Sequence, residues 1–235
     1  MEKDRIDVKD GLILMVTYHI FDFLRQISIF QQIRNISRWR FVRRFHRQNP
    51  DSGKEELDKA WNESRPFVSS YLFPELWVIG NILFGICGCI VLSHTSSLWL
   101  GWVFSIYAML RTFELFVYQI NVLLFDPIKS GRASYRIKSA TRMVILLICN
   151  IFEYALWFSI LYMFVYISSG NEVPGGRVML ESLMTLTNIT EPGEYVNPVV
   201  ISIAYVEAII GIFLNIVCLA RFISLLPPVQ TVDDN

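Results

Sequence analysis

The apolar residues of this chain fall in long blocks, and the charged residues collect between them. Four blocks are long enough to cross about 30 Å of hydrocarbon as helices, a crossing that takes roughly 20 residues. They run from Leu72 to Leu92, from Leu98 to Leu124, from Met143 to Ile167, and from Val199 to about Leu225. Pro74 stands at the start of the first block, where proline suits a helix, and Pro227 and Pro228 stop the last. The pattern predicts an all-α integral membrane helical bundle with four transmembrane helices. No repeat relates the four blocks.

One stretch fits neither class. Glu181 to Tyr195, "ESLMTLTNITEPGEY", is too polar to cross a bilayer and too apolar for an ordinary loop. Val178, Met179, Leu180, Leu183, Met184 and Leu186 predict one compact helix over roughly 177–188. Such a helix spans about 18 Å, too little to cross. Left in water it would expose a large apolar surface. The economical arrangement is re-entry: a half-membrane helix enters, the chain returns extended, and Pro192 and Gly193 turn it out. Non-helical backbone survives at that depth only inside protein or beside water. The carbonyl end of the short helix carries about half a negative charge, which favours a cation. One chain supplies one such loop, so a closed path needs several copies. The physics of the loop alone points to a pore and to an oligomer.

Formal charge is balanced, with 21 basic and 21 acidic side chains, but their distribution is not. Arg34, Arg38, Arg40, Arg43, Arg44 and Arg47 precede the first block, and Lys129, Arg132, Arg136, Lys138 and Arg142 lie between the second and third. The segment between the third and fourth is mostly acidic, with Glu172, Glu181, Glu191 and Glu194 beside Arg177. The positive-inside rule then places both termini in the cytoplasm, in a plasma or inner membrane. Trp99 and Trp102 would sit at the outer interface, which tryptophan favours. The charged start "MEKDRIDVKD" lacks the apolar core of a cleavable signal.

Residues 1–70 form a cytoplasmic region. Its run "GLILMVTYHIFDFLRQISIFQQI", interrupted by His19, Asp22, Arg25 and Gln26, predicts one amphipathic helix on the inner membrane face or under the bundle. The arginines after it would face anionic lipid, at about 1 kcal/mol per charge near the surface. A cytoplasmic protein partner is a second expectation for this region. Nucleic acid is not expected, because a basic flank is ordinary for such a membrane protein.

"LESLMTLTNIT" followed by "VNPVVISIAYVEAIIGIFLNIVCLARFISLL" resembles the pore module of the tetrameric potassium-type ion channels, over about 143–226. Ser182, Thr185, Leu186 and Thr187 match the end of the family's pore helix. Gly211 falls where that family's inner helix has its hinge glycine, and Val206, Glu207 and Ala208 read like the same helix. The resemblance implies a re-entrant pore helix between the last two spans and a homotetramer. Residues 139–226 would be the pore module, 71–125 a peripheral helix pair, and 227–235 a short cytoplasmic tail. It further implies that Glu207 lies beside the filter and supports it, and that Asn215, one turn beyond Gly211, lines an inner cavity.

The filter departs from the family. Where the family reads Thr-Val-Gly-Tyr-Gly-Asp, this chain has Asn188, Ile189, Thr190, Glu191, Pro192 and Gly193. Glycines let successive carbonyls point at the axis, and Thr190, Glu191 and Pro192 do not take those backbone angles cheaply. The expectation is a wider, hydrated ion pathway along Thr187, Asn188, Ile189 and Thr190, with a ring of Glu191 at its mouth. An acidic ring favours cations, monovalent or divalent, without clear choice among them.

Arg111 and Glu114 lie within the second span and Glu153 within the third. Charges in lipid cost about 2.5–3.5 kcal/mol on insertion scales, so Arg111 is expected to meet Glu114, Glu153 or both. A single arginine is no voltage sensor. Asn81 and Asn150 are expected to bridge helices. Cys87, Cys89, Cys149 and Cys218 all lie in apolar runs and read as small buried hydrophobes. The sequence carries no nucleophile–base set, metal-ligand spacing or phosphate loop, so no enzyme and no cofactor are expected. The leading expectation is a homotetrameric cation channel in the lipid bilayer. The alternative is a non-conducting membrane scaffold or accessory subunit that binds a partner through its N-terminal region. A membrane-embedded enzyme using Glu153 and Arg111 ranks last.

Overall fold

The computed structural model describes residues 11–50, 52–64, 66–70, 72–125, 140–173, 175–190 and 197–225. All regular structure among them is helical. In chain order the helices are α1 (Leu12–Ile27), α2 (Ile29–Gln48), α3 (Lys54–Glu63), α4 (Leu72–His94), α5 (Leu98–Ile120), α6 (Ala140–Ser168), α7 (Gly176–Leu186) and α8 (Pro198–Leu225). A 3-10 turn at Phe67–Ser69 precedes α4, and α5 runs on into a π-turn at Asn121–Phe125. Four segments are long and apolar enough to cross a membrane: Leu72–His94, Leu98–Ile120, Val144–Ser168 and Pro198–Ile216. They are the four blocks read from the sequence. Several such apolar helices are compatible with an integral membrane protein, because helices satisfy their own backbone groups in lipid.

The chain divides into two compact units. The first holds residues 1–83 and 113–132. In it the run expected to be one amphipathic helix is two, α1 and α2, bent by 68° at Ser28. The cause lies far along the chain. Ser28 leaves helical geometry (φ −54°, ψ 136°), and its hydroxyl accepts from the Gln31 amide at 3.4 Å. A carboxyl oxygen of Glu114 accepts from the Ser28 hydroxyl and from the Phe30 amide, the latter at 2.7 Å. The first amides of a helix have no partner of their own, and a carboxylate there also meets the positive end of the helix dipole.

Aromatic contacts hold the corner. Phe30 stacks on Phe73 (5.0 Å between ring centres) and meets Trp77 edge-on at 6.1 Å. α1 lies against the π-turn, with Tyr18 and Phe21 on Phe125 at 5.6 and 6.1 Å. Asn121 Nδ2 donates to the carbonyl of Phe21 at 3.2 Å. α3 covers one side of α2 through Trp61 on Phe41 (5.1 Å) and an exposed Arg38–Asp58 ion pair of 2.7 Å.

The second unit holds residues 84–112 and 133–235. α6 is its axis: residues 153–160 are all buried. A helix apolar and covered on every side marks the middle of a bundle. Small residues let the second half of α4 come close, as expected where lipid offers no hydrophobic drive and packing decides. A Cβ on Gly88 would meet Ile160 and Phe104 at 3.0 Å, and one on Gly85 would meet Leu156 at 3.2 Å. Phe84, Tyr107 and Trp157 interlock beside them, Tyr107 edge-on to both Phe84 and Trp157 at 5.2 Å. The short helix α7 packs against α6 and α8. Val178, Ser182, Thr185 and Leu186 are its buried positions, a spacing that marks one helical face.

Candidate functional site

The level at which α7 stops defines the site. The Ser182 hydroxyl, one turn before its end, lies 3.0 Å from the carbonyl oxygen of Ala155. Leu186 at its end abuts Gly211. Counted at 1.5 Å per residue, Ala155 lies about 20 Å from the Ser168 end of α6, and Gly211 about 20 Å from the Pro198 end of α8. The end of α7 therefore lies well along both long helices, near the middle of each.

Its terminus is closed by a Schellman motif. Asn188 takes the left-handed conformation (φ 60°), the Asn188 amide donates to Thr185 O at 3.0 Å, and the Ile189 amide donates to Met184 O at 2.8 Å. The Thr187 amide donates to Leu183 O at 3.0 Å, and the Thr187 hydroxyl adds a 2.8 Å bond to the same carbonyl. Asn188 Nδ2 donates to Leu186 O at 3.4 Å. The last carbonyls of α7 are thus answered within the chain. The negative end of the helix remains as a field, but these carbonyls do not stand open as ion ligands.

Thr187, Asn188 and Ile189 are exposed at that terminus, and Thr190 is half-buried. Ile189 is 71% exposed. Glu191 lies outside the described residues. On the side of α7 away from α6 and α8, Leu180 and Met184 are also exposed. The helix therefore presents an apolar side that its own chain does not cover.

Gly211 is buried, and a Cβ there would overlap the carbonyl group of Leu186. The sequence assigned it a hinge. Its place is a close approach, where the missing side chain lets α8 touch backbone of α7. Asn215, one turn on, is exposed on α8.

Glu207 is fully buried, and its carboxyl group joins three helices. Oε1 accepts from the Ser182 hydroxyl of α7 at 2.5 Å, and Oε2 accepts from the Tyr162 hydroxyl of α6. Both oxygens of a buried carboxyl thereby have donors, which removes much of the cost of burying it. No spacing along the chain marks Ser182 and Tyr162 as its partners. The only hint was that a lone glutamate in an apolar span must find donors somewhere.

The second buried polar group is an ion pair. Arg111 Nε lies 2.5 Å from Glu153 Oε1, with the two side chains 3% and 0% exposed, and Nη2 lies 3.2 Å from Oε2. Trp157 Nε1 also donates to Glu153 Oε1 at 3.2 Å. This bidentate arrangement is the geometry in which arginine binds carboxylate best. Glu153 lies on Arg111, and Glu114 accepts from Ser28 and Phe30 in the first unit. Asn81 donates to the carbonyl of Trp77 in its own helix at 2.7 Å. Cys87, Cys89 and Cys149 are free thiols.

Comparison with protein families, with characterised proteins and with solved structures found no match to this chain.

Proposed function

We propose that this chain is the subunit of a membrane ion channel that conducts cations through a pore built by four copies. The observation that carries the reading is the level at which α7 ends. A helix of 11 residues, packed between two long apolar helices and stopping beside Ala155 and Gly211, fits a re-entrant pore helix. Its exposed terminus offers Thr187 and Asn188 to an aqueous path, and its uncovered side at Leu180 and Met184 is a surface for a neighbouring copy.

In this reading the Schellman closure explains the divergent filter. With the carbonyls of Leu183, Met184 and Thr185 already bonded, ions are not stripped and held by a carbonyl ring. They pass hydrated, drawn by the field of four converging helix ends and by Glu191. Glu207 holds α7 in register through Ser182. The basic segments face the cytoplasm, and with them both termini.

The same bonded carbonyls also favour a second reading, a scaffold in which four such loops close on one another without a conducting path. Planar-bilayer recording separates the two. The purified chain should carry cation current that changes reversal potential on ion replacement, and Glu191→Gln should lower its conductance or cation preference. Silence of both proteins across the voltages and ions applied, with tetramers present, assigns the chain to the scaffold reading.

A further inference from the structure

We propose that the side of α2 bearing Ile36, Arg40, Arg43 and Arg47, with Trp39 and Arg44 at its edges, is a binding surface for the headgroups of anionic membrane lipid. The two sides of α2 have different work. Phe41 meets Trp61 of α3 and stacks on Phe45, and Arg38 is held by Asp58. On the opposite side, Arg40, Arg43 and Arg47 recur at helical spacing along about 10 Å. All three are exposed, and none makes an ion pair among the described residues.

Arginines without carboxylate partners among the described residues leave an uncompensated positive stripe there. The matching surface must be anionic. Two apolar groups lie in or beside the stripe: Ile36 is 49% exposed and Trp39 58%. The Arg43 guanidinium sits 5.3 Å from the centre of the Trp39 ring, so cation and aromatic face the same way together. A basic face interleaved with an aliphatic and an indole side chain suits the boundary between headgroups and hydrocarbon.

The place of α2 in the fold selects the same occupant. It begins at the Ser28 corner, where Phe30 packs on Phe73 and Trp77 in the opening turns of the first candidate span. Its neighbour α1 leaves Leu12, Val16, Ile20, Phe23 and Ile27 exposed at spacings of three and four, an apolar side continuous with an interfacial position. A bilayer is therefore beside this surface in any membrane the chain occupies. The inference rests on the membrane reading of the four long helices and stands whether or not the chain conducts.

The test uses the full chain in phosphatidylcholine nanodiscs doped with trace spin-labelled phosphatidylglycerol or spin-labelled phosphatidylcholine. The measured quantity is the relative association of the two labelled lipids with the protein. The natural chain should prefer phosphatidylglycerol, on the order of tenfold at low salt, and less as salt rises. R40Q/R43Q/R47Q should fall toward parity, whereas R34Q/K54Q/K59Q, which removes three charges elsewhere in the same unit, should keep the preference. Circular dichroism on each variant confirms its helix content. Indifference of the natural chain to the lipid charge overturns the proposal without any variant. Equal loss in both triple variants also overturns it, since net charge alone would then act. Retention in R40Q/R43Q/R47Q assigns the stripe to another occupant, such as an acidic protein segment.

Discussion

The carbonyl of Leu186 faces Gly211 with no room between them for a Cβ. This contact joins the end of the short helix α7 to the middle of α8, and it sets how far α7 can reach. Gly211→Ala should force the two backbones apart and cost about 1–3 kcal/mol, the range of overpacked cores. Gly80→Ala, where an added Cβ meets nothing within 4 Å, should be close to neutral. Thermal unfolding of the two variants in one detergent gives the comparison. Equal melting temperatures would mean that α7 does not rest on Gly211.

The hydroxyls of Ser182 and Tyr162 converge on one carboxyl group, that of Glu207. Removing either leaves a buried oxygen without its donor, at a cost of about 1–3 kcal/mol. Ser182→Ala and Tyr162→Phe should each destabilise the chain, and the double variant should fall short of the sum of the two, because both act on the same group. Additive losses would mean that the two hydroxyls do not share Glu207. Glu207→Leu should be worse than either, since it strands both donors and removes the tie among three helices.

For Arg111 and Glu153 the sign of the effect is the informative quantity. Breaking a buried ion pair from one side removes the charge that faces the other, about 3–5 kcal/mol in soluble cores. Arg111→Met and Glu153→Leu alone should therefore be severe. The pair of substitutions together should recover much of the loss, because two apolar side chains fill the space without charge. A double variant as unstable as either single one would assign the pair a role beyond mutual neutralisation.

At the α1–α2 corner, Ser28→Ala should cost about 0.5–2 kcal/mol, the worth of a helix N-cap. The effect should be local. Amide hydrogen exchange at Phe30, Gln31 and Gln32 should speed up while residues 153–160 keep their protection. A uniform change along the chain would contradict a local cap.

The four long helices and the short one were legible in the sequence because length and hydropathy alone decide what a membrane can hold. The Arg111–Glu153 pair was legible for a related reason, since charges in apolar runs must find each other. The bend at Ser28 was not. Serine in an apolar run is no breaker, and the group that stabilises the break, Glu114, is 86 residues away. The hydroxyl partners of Glu207 were equally hidden, because one serine and one tyrosine on two other helices leave no spacing to read. Gly211 was singled out as a hinge by resemblance. Its packing against Leu186 is a property of two backbones and has no sequence signature. The closing of the α7 carbonyls turned on Asn188, whose left-handed backbone angle only coordinates reveal.

The central claim is that copies of α7 enter the bilayer and meet around one axis. Spin labels at Ile189→Cys, in a chain whose native cysteines are replaced by serine, test it directly in reconstituted bilayers. Four copies around one axis give two label-to-label distances, in the ratio of a square's side to its diagonal. A single distance or no measurable distance at Ile189 would contradict the re-entrant tetramer.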